Sequence, residues 1–451
     1  MRMAGAASAT PEASWTRLEQ VELDEVVAAH ARFLSGAARG LRANLAFHDL
    51  AGLNLEGRDL SQADLSAARL NGARMDGINL RNANLFCTDL RMASIQRADL
   101  SRADLRGACL RGAQLSDSLL IDADIREGTL LRSNSNNDLD PVTFEHRHAQ
   151  LVSVVAIRAN LSHAKLTNAF VVQTDFTDAI LTKVNLRQAD LRNSIFTGAE
   201  MNGVDLSGAN LSGATMHGAD LTDAIVVDSR FDGADLRGAI VDPKASAAPE
   251  LQAANLPKPN AALVSSLGEI VAQHALWIAQ SGKSGKRADL SAAHLAGRDL
   301  RGVNLGGALL SYVVLSRADL AKAELVMADL SFADLRAANL VQADLRGAKL
   351  SRARLDGADL AGANLAPVKR NETDDAGWSA NLEQAKFIGA KLQEAVLTGA
   401  RLSGADFTGA DLRGADLCGA DLRNANFAGA KMTNAGLDNA RLEGARNLAI
   451  F

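Results

Sequence analysis

Aromatic side chains are scarce in this chain: 13 Phe, 3 Trp and one Tyr in 451 residues, while Leu and Ala abound. A broad core filled by rings is therefore excluded, and a narrow one is expected. The three cysteines, Cys87, Cys109 and Cys418, stand far apart with no CxxC spacing. They argue against a disulfide framework or a zinc cluster and fit a reducing compartment. No run of about 18 apolar residues occurs, and the first fifteen residues lack the apolar stretch of a cleaved signal. A cytoplasmic protein without membrane association is expected. Charge of one sign is missing too, since 48 basic and 53 acidic residues leave a net −5. That is too dilute for direct nucleic-acid binding.

What is present is a repeat. From Leu45 to Leu130 a Leu, Ile or Met recurs at every fifth position without a miss, and the two residues before it are usually Ala and then Asp or Asn, as in Ala63-Asp64-Leu65. The same frame runs over 161–241, 290–365 and 382–442, about seven-tenths of the chain. A period of five matches neither a helix nor a flat strand, so the chain must turn regularly, with the anchor and the small residue two before it facing inward. Phe387, Phe407 and Phe427 are spaced by 20, as are Phe176 and Phe196; four repeats per coil would stack those rings. Glycines such as Gly404 and Gly409 fall where each corner turns. The seven prolines avoid the anchors and the two residues before them, as expected where backbone N–H groups serve a ladder.

The unit A(D/N)LXX, seen in Ala405-Asp406-Phe407, Ala410-Asp411-Leu412 and Ala415-Asp416-Leu417, resembles the pentapeptide-repeat family. The resemblance implies an all-β solenoid, a right-handed quadrilateral β-helix with Leu, Phe and Ala columns in its core. It also implies a functional alternative, a DNA mimic acting on a type II topoisomerase, by gyrase inhibition or quinolone protection; a secreted bacterial effector is a second alternative.

Breaks in the frame divide the chain. Residues 1–20 are expected to be a flexible N-terminus, 43–242 a first solenoid with a loop at about 132–150, 243–262 a Pro/Ala linker, and 288–446 a second solenoid with a loop at about 366–379. Residues 447–451 form an apolar tail. Glu269 to Ile278 echoes Glu25 to Leu34 at an offset of 244. Both read as amphipathic helices, 21–36 and 263–281, with Leu23, Val26, Val27, Phe33 and Leu34 matched by Leu267, Ile270, Val271, Trp277 and Ile278 on one face. Their expected job is to cap an open solenoid end. His30 and His274 border these faces and read as packed rather than as ligands.

No GxSxG, Walker loop or correctly placed GxGxxG appears. The aspartates follow from the repeat, so neither enzyme chemistry nor a cofactor or metal is expected. A non-enzymatic scaffold binding an unidentified protein is the leading expectation. Candidate interaction residues lie where the repeat is violated: Phe144, His146 and His148 in the first loop, Arg370, Asp375 and Trp378 in the second, and Ile450 and Phe451 in the tail. The His146/His148 pair reads as solvated loop rather than metal site. The tail either covers the last coil or joins two copies into a homodimer. For the DNA-mimic alternative, Asp299, Asp319, Asn339 and Asp359 would form a ladder along one face. Among the repeat blocks only 159–242 is clearly acidic, with 11 acids against 6 bases.

Overall fold

The computed structural model describes residues 15–128, 131–133, 139–141, 150–242, 248–256, 261–369 and 377–448. They fall into two compact units, Met1–Asp235 with Val241–Ala254, and Leu236–Ile240 with Asn255–Phe451. Each is a β-helix solenoid in which the chain meets itself every twenty residues. Asn44 pairs in parallel with Asp64, Asp64 with Asn84, and Asn84 with Asp104; Asp299 likewise pairs with Asp319.

The pentapeptide explains this geometry. Two residues after most anchors the backbone enters the left-handed region, as at Gly72 with φ of 65°, and the chain turns a corner. Only the residue before the anchor stays extended long enough to pair. Leu45 N–H donates to the Asp64 carbonyl at 2.7 Å, and Asp64 N–H to the Ala43 carbonyl at 3.0 Å. Backbone groups are thus satisfied from coil to coil through one-residue bridges rather than long strands.

Four anchors close each coil. Leu45, Leu50, Leu55 and Leu60 are fully buried, as are Ala63 and Ala68, the small residues two before the next anchors Leu65 and Leu70. Phe387 and Phe407 stack at 5.0 Å between ring centroids, Phe407 and Phe427 at 5.2 Å, and Phe176 and Phe196 at 5.3 Å. Where the alanine column carries a hydroxyl, the hydroxyl finds a backbone carbonyl: Thr88 Oγ1 donates to Leu65 O in the preceding coil at 3.0 Å and Ser118 Oγ to Ile95 O at 2.6 Å. A buried polar atom is tolerated there because it is paired.

Both excursions leave the coil without breaking it. Cys109 pairs with Gln150, forty-one residues on instead of twenty, so twenty-one residues are looped out. Inside that excursion β3 (Leu131–Ser133) pairs antiparallel with β4 (Leu139–Pro141). The ladder resumes at Gln150, with Leu151 and Ala156 buried at anchor positions. These two rungs precede Leu161, where the strong pattern restarts; Ala156 is too small to announce itself as an anchor. In the second excursion Lys349 pairs with Asn381, and Val368 pairs antiparallel with Trp378.

The segments before each solenoid differ from expectation in detail. Part of the N-terminus expected to be flexible is built in: β1 (Thr16–Arg17) pairs in parallel with β2 (His48–Asp49), and Trp15 Nε1 donates to Ala67 O at 2.7 Å. Helix α1 (Gln20–Leu34) starts at a capping box in which Glu19 N–H donates to Glu22 Oε2 at 2.8 Å. Its buried residues are Leu23, Val27 and His30, a narrower stripe than expected. Val26 is half-buried and Phe33 is 38% exposed, because the histidine takes the inward position between them. The stretch expected to be a linker holds a 3-10 helix, Pro249–Ala253, whose Leu251 is fully buried. Helix α2 (Ala261–Ala279) follows, with Leu267 and Ile270 partly buried against the second core. Among the described residues no helix is long and apolar enough to cross a membrane.

Candidate interaction surface

The residue before each anchor braces the corner that follows. Asp64 Oδ1 accepts the Ser66 N–H at 3.0 Å, Asp99 the Ser101 N–H at 2.8 Å, and Asp319 the Ala321 N–H at 3.1 Å. Asp and Asn hold this position because both offer a short acceptor to the N–H two residues on. Where arginine stands two after the aspartate, its guanidinium folds back onto the same carboxylate with two donors. Arg106 reaches Asp104 at 2.8 and 2.6 Å, Arg336 reaches Asp334 at 2.8 and 2.9 Å, and Arg413 reaches Asp411 at 2.8 and 2.7 Å. Hydrogen bonding to Arg413 holds the Asp411 carboxyl down at about 2, against the opposing effect of desolvation. Arg301 does the same for Asp299, also at about 2. Sequence reasoning missed these pairs; Asp-Leu-Arg, as in Asp411-Leu412-Arg413, is the signal that could have found them.

The four ladder residues do stack: Asp299 pairs with Asp319, Asp319 with Asn339 and Asn339 with Asp359. Their charge is largely cancelled. Arg301 lies 2.6 Å from Asp299 and 3.5 Å from Asp319. Asn339 Nδ2 donates to Asp319 Oδ1 at 2.9 Å, and Lys391 Nζ sits 3.1 Å from Asp359.

Both helix histidines accept a backbone N–H at the start of a solenoid. His30 is buried; its Nδ1 accepts Ala43 N–H at 3.1 Å, so Nε2 carries the proton and donates to Ser61 O at 2.9 Å. His274 is buried the same way, with Nδ1 accepting Ala288 N–H at 3.0 Å. Burial pushes its pKa down, opposed by the Gly306 carbonyl and reinforced by Arg287, so the ring is neutral. Beside it Trp277 stacks at 5.4 Å between centroids, as Phe33 does on His30 at 5.7 Å. Gln20 makes an unforeseen contact: its amide accepts Asn54 N–H at 2.9 Å and donates to Asn54 O at 3.0 Å, imitating a backbone partner.

Of the residues expected at the loops and tail, Trp378 is placed, 47% exposed and bridged to Val368. Phe144, His146, His148, Arg370, Asp375, Ile450 and Phe451 lie outside the described residues. Among the described residues no three His, Cys, Asp or Glu side chains converge as a metal site requires.

A cleft of about 460 Å³ opens between the C-terminal end of α2 and the second solenoid, lined by Trp277, Ile278, Ser281, Gly282, Asn304, Gly306, Glu324 and Val326. Of these only Trp277 and Ile278 stood out in the sequence, as residues of the helix face. Glu324 and Asn304 occupy ordinary repeat positions and gave no signal.

The family model for pentapeptide repeats (8 copies) matches residues 42–130, 159–238, 288–325, 328–365 and 379–446, well over half of the chain. A comparison with curated proteins finds no match. Among solved structures, the chain is similar to HetL, a pentapeptide repeat protein involved in heterocyst differentiation regulation from the cyanobacterium Nostoc sp. strain PCC 7120, at 23% identity over 80% of this chain and 91% of that one, with a TM-score of 0.24. It is similar to trypsin-treated QnrB1, a plasmid-mediated fluoroquinolone resistance protein, at 18% identity over 51% and 98%, with a TM-score of 0.26. Rfr23 from the cyanobacterium Cyanothece 51142 aligns at 22% identity over 34% and 89%, with a TM-score of 0.13. With the repeat frame, the twenty-residue coil and the family match in agreement, the chain belongs to the pentapeptide-repeat family.

Proposed function

We propose that this chain is a non-enzymatic cytoplasmic scaffold: two right-handed quadrilateral β-helices, capped by α1 and α2, whose faces bind another protein. The observation that carries this reading is the commitment of the surface carboxylates. Asp64, Asp104 and Asp411 brace corners, and the latter two are also paired to arginine. Acid–base catalysis needs a carboxylate free to exchange a proton near neutral pH; the oxygens of these three are occupied by corner N–H groups or arginine, and Arg413 holds the Asp411 carboxyl down at about 2. What is left is a stiff, charge-balanced surface suited to recognition.

The capping role is supported by a contrast between ends. Beside α2 the anchors Leu290, Leu295, Leu300 and Leu305 are at most 3% exposed, whereas at the far end of the second core Met432, Leu437 and Leu442 are only partly buried. Crosslinking mass spectrometry on affinity-captured protein from source cells tests the scaffold. One recurrent partner crosslinked to the solenoid faces is expected; failure to recover any partner across repeats would count against it.

The DNA-mimic alternative is favoured by the stacking of the ladder and opposed by its charge. Three aspartates against Arg301 and Lys391 leave a net −1 over three coil steps. Those steps span roughly 14 Å, over which duplex DNA presents about eight charges. A gyrase supercoiling assay is expected to show neither inhibition nor quinolone protection at micromolar protein, and either effect would reinstate the mimic.

A further inference from the structure

Three features of the cleft beside α2 favour one kind of occupant. The Trp277 ring, held in plane by its stack on the buried His274, lines the cleft, and an indole face attracts cations. Glu324 supplies a carboxylate already oriented, since Asn304 Nδ2 donates to Glu324 Oε2 while Asn304 Oδ1 accepts Gly306 N–H at 3.0 Å. Among the described residues no Lys or Arg pairs with Glu324, and no cation lies over Trp277. Ile278, Ser281 and Gly282 bring the C-terminal, partly negative end of α2 to the same cleft. Arg287 stands at the edge of the cleft but is tied down, its Nε donating to Gly307 O at 2.5 Å. The chain uses the same recognition internally, with the Arg69 guanidinium carbon 3.7 Å from the Trp15 ring centroid.

We infer that this cleft receives an arginine side chain presented by a partner protein, the guanidinium lying against Trp277 and pairing with Glu324. Arginine fits better than lysine because its planar fork can stack and bind a carboxylate at once. The inference rests on the scaffold reading and assigns a feature to the partner.

The test uses the full chain, ¹⁵N-labelled, titrated with the peptide acetyl-Gly-Gly-Arg-Gly-Gly-amide and its citrulline counterpart, which keeps the shape and loses the charge. Saturable shifts at the Trp277 indole N–H and the Gly282 and Gly306 amides are expected, with the arginine peptide binding about fivefold tighter or more. Glu324→Gln, an isosteric change at an exposed site, is expected to weaken the arginine peptide about fivefold and to leave the citrulline peptide unchanged. Equal responses to both peptides, or arginine binding unaltered by Glu324→Gln, would overturn the assignment. Equal capture of a cellular partner by the wild type and Glu324→Gln would also overturn it while leaving the scaffold reading intact.

Discussion

At the scale of single residues, the position before the anchor carries more structure than its solvent exposure suggests. Asp64 Oδ1 takes the Ser66 N–H and the Asn84 Nδ2 donor of the next coil, both at 3.0 Å. Asp64→Asn keeps an acceptor and is expected to be near neutral in urea denaturation, whereas Asp64→Ala loses it and costs about 1 kcal/mol. The arginine-paired carboxylates add a pH dependence with a defined sign. Asp411, held at about 2 by Arg413, takes up its proton at lower pH than it would in the unfolded chain, near 4. Its contribution is therefore fully present above about pH 4 and lost as pH falls toward 2. The urea midpoint of the second unit is expected to drop across that window, and less steeply in Asp411→Asn. An unchanged slope would show that the pair contributes nothing to stability. Anchors and small positions were legible from the five-residue frame alone. Phe33 was not, since on the helix the inward place went to His30, a polar residue that found two backbone partners.

At the scale of elements, α1 meets the first solenoid through side chains that act as backbone. Gln20 satisfies both polar groups of Asn54, as a further coil would have done. Gln20→Ala is expected to lower stability by about 1–2 kcal/mol and to speed amide exchange at Asn54. Gln20→Leu, which also lacks the amide, should match it, and a neutral result for both would show that water replaces the contact. The helices themselves were readable, because apolar residues recur at helical spacing in two echoing copies. The contacts were not: nothing in the spacing of Gln20 and Asn54 marks them as partners. The rung at Ala156 was hidden for a related reason, since a single alanine at an anchor erases the pattern locally while the coil, held by its neighbours, continues.

At the scale of the whole molecule, successive coils pair with the coils above and below them, so stability is largely a sum of local terms. Phe407 lies between Phe387 and Phe427. Truncating it to alanine is expected to cost about 3–5 kcal/mol and to be felt in the second unit alone. Hydrogen exchange followed by mass spectrometry should show lost protection there and none in residues 44–235; uniform loss along the chain would mean that the two units unfold as one. The half-buried anchors Met432, Leu437 and Leu442 leave room for the tail or another copy. If residues 447–451 join two chains, deleting them lowers the solution mass from dimer to monomer, and a monomeric mass for both forms would end that reading.

The sequence by itself determined the coil. A five-residue frame with one large and one small inward residue, a short acceptor before the anchor and a left-handed corner after it leaves the backbone no other regular way to satisfy its hydrogen bonds. Only the tertiary structure decided which carboxylates face a cation in the next coil, where the ladder resumes after an excursion, and that Glu324 stands beside Trp277. The physical reason is distance along the chain. Such neighbours are brought together by the stacking of whole coils and the return of a helix, and no local pattern of residues encodes that meeting.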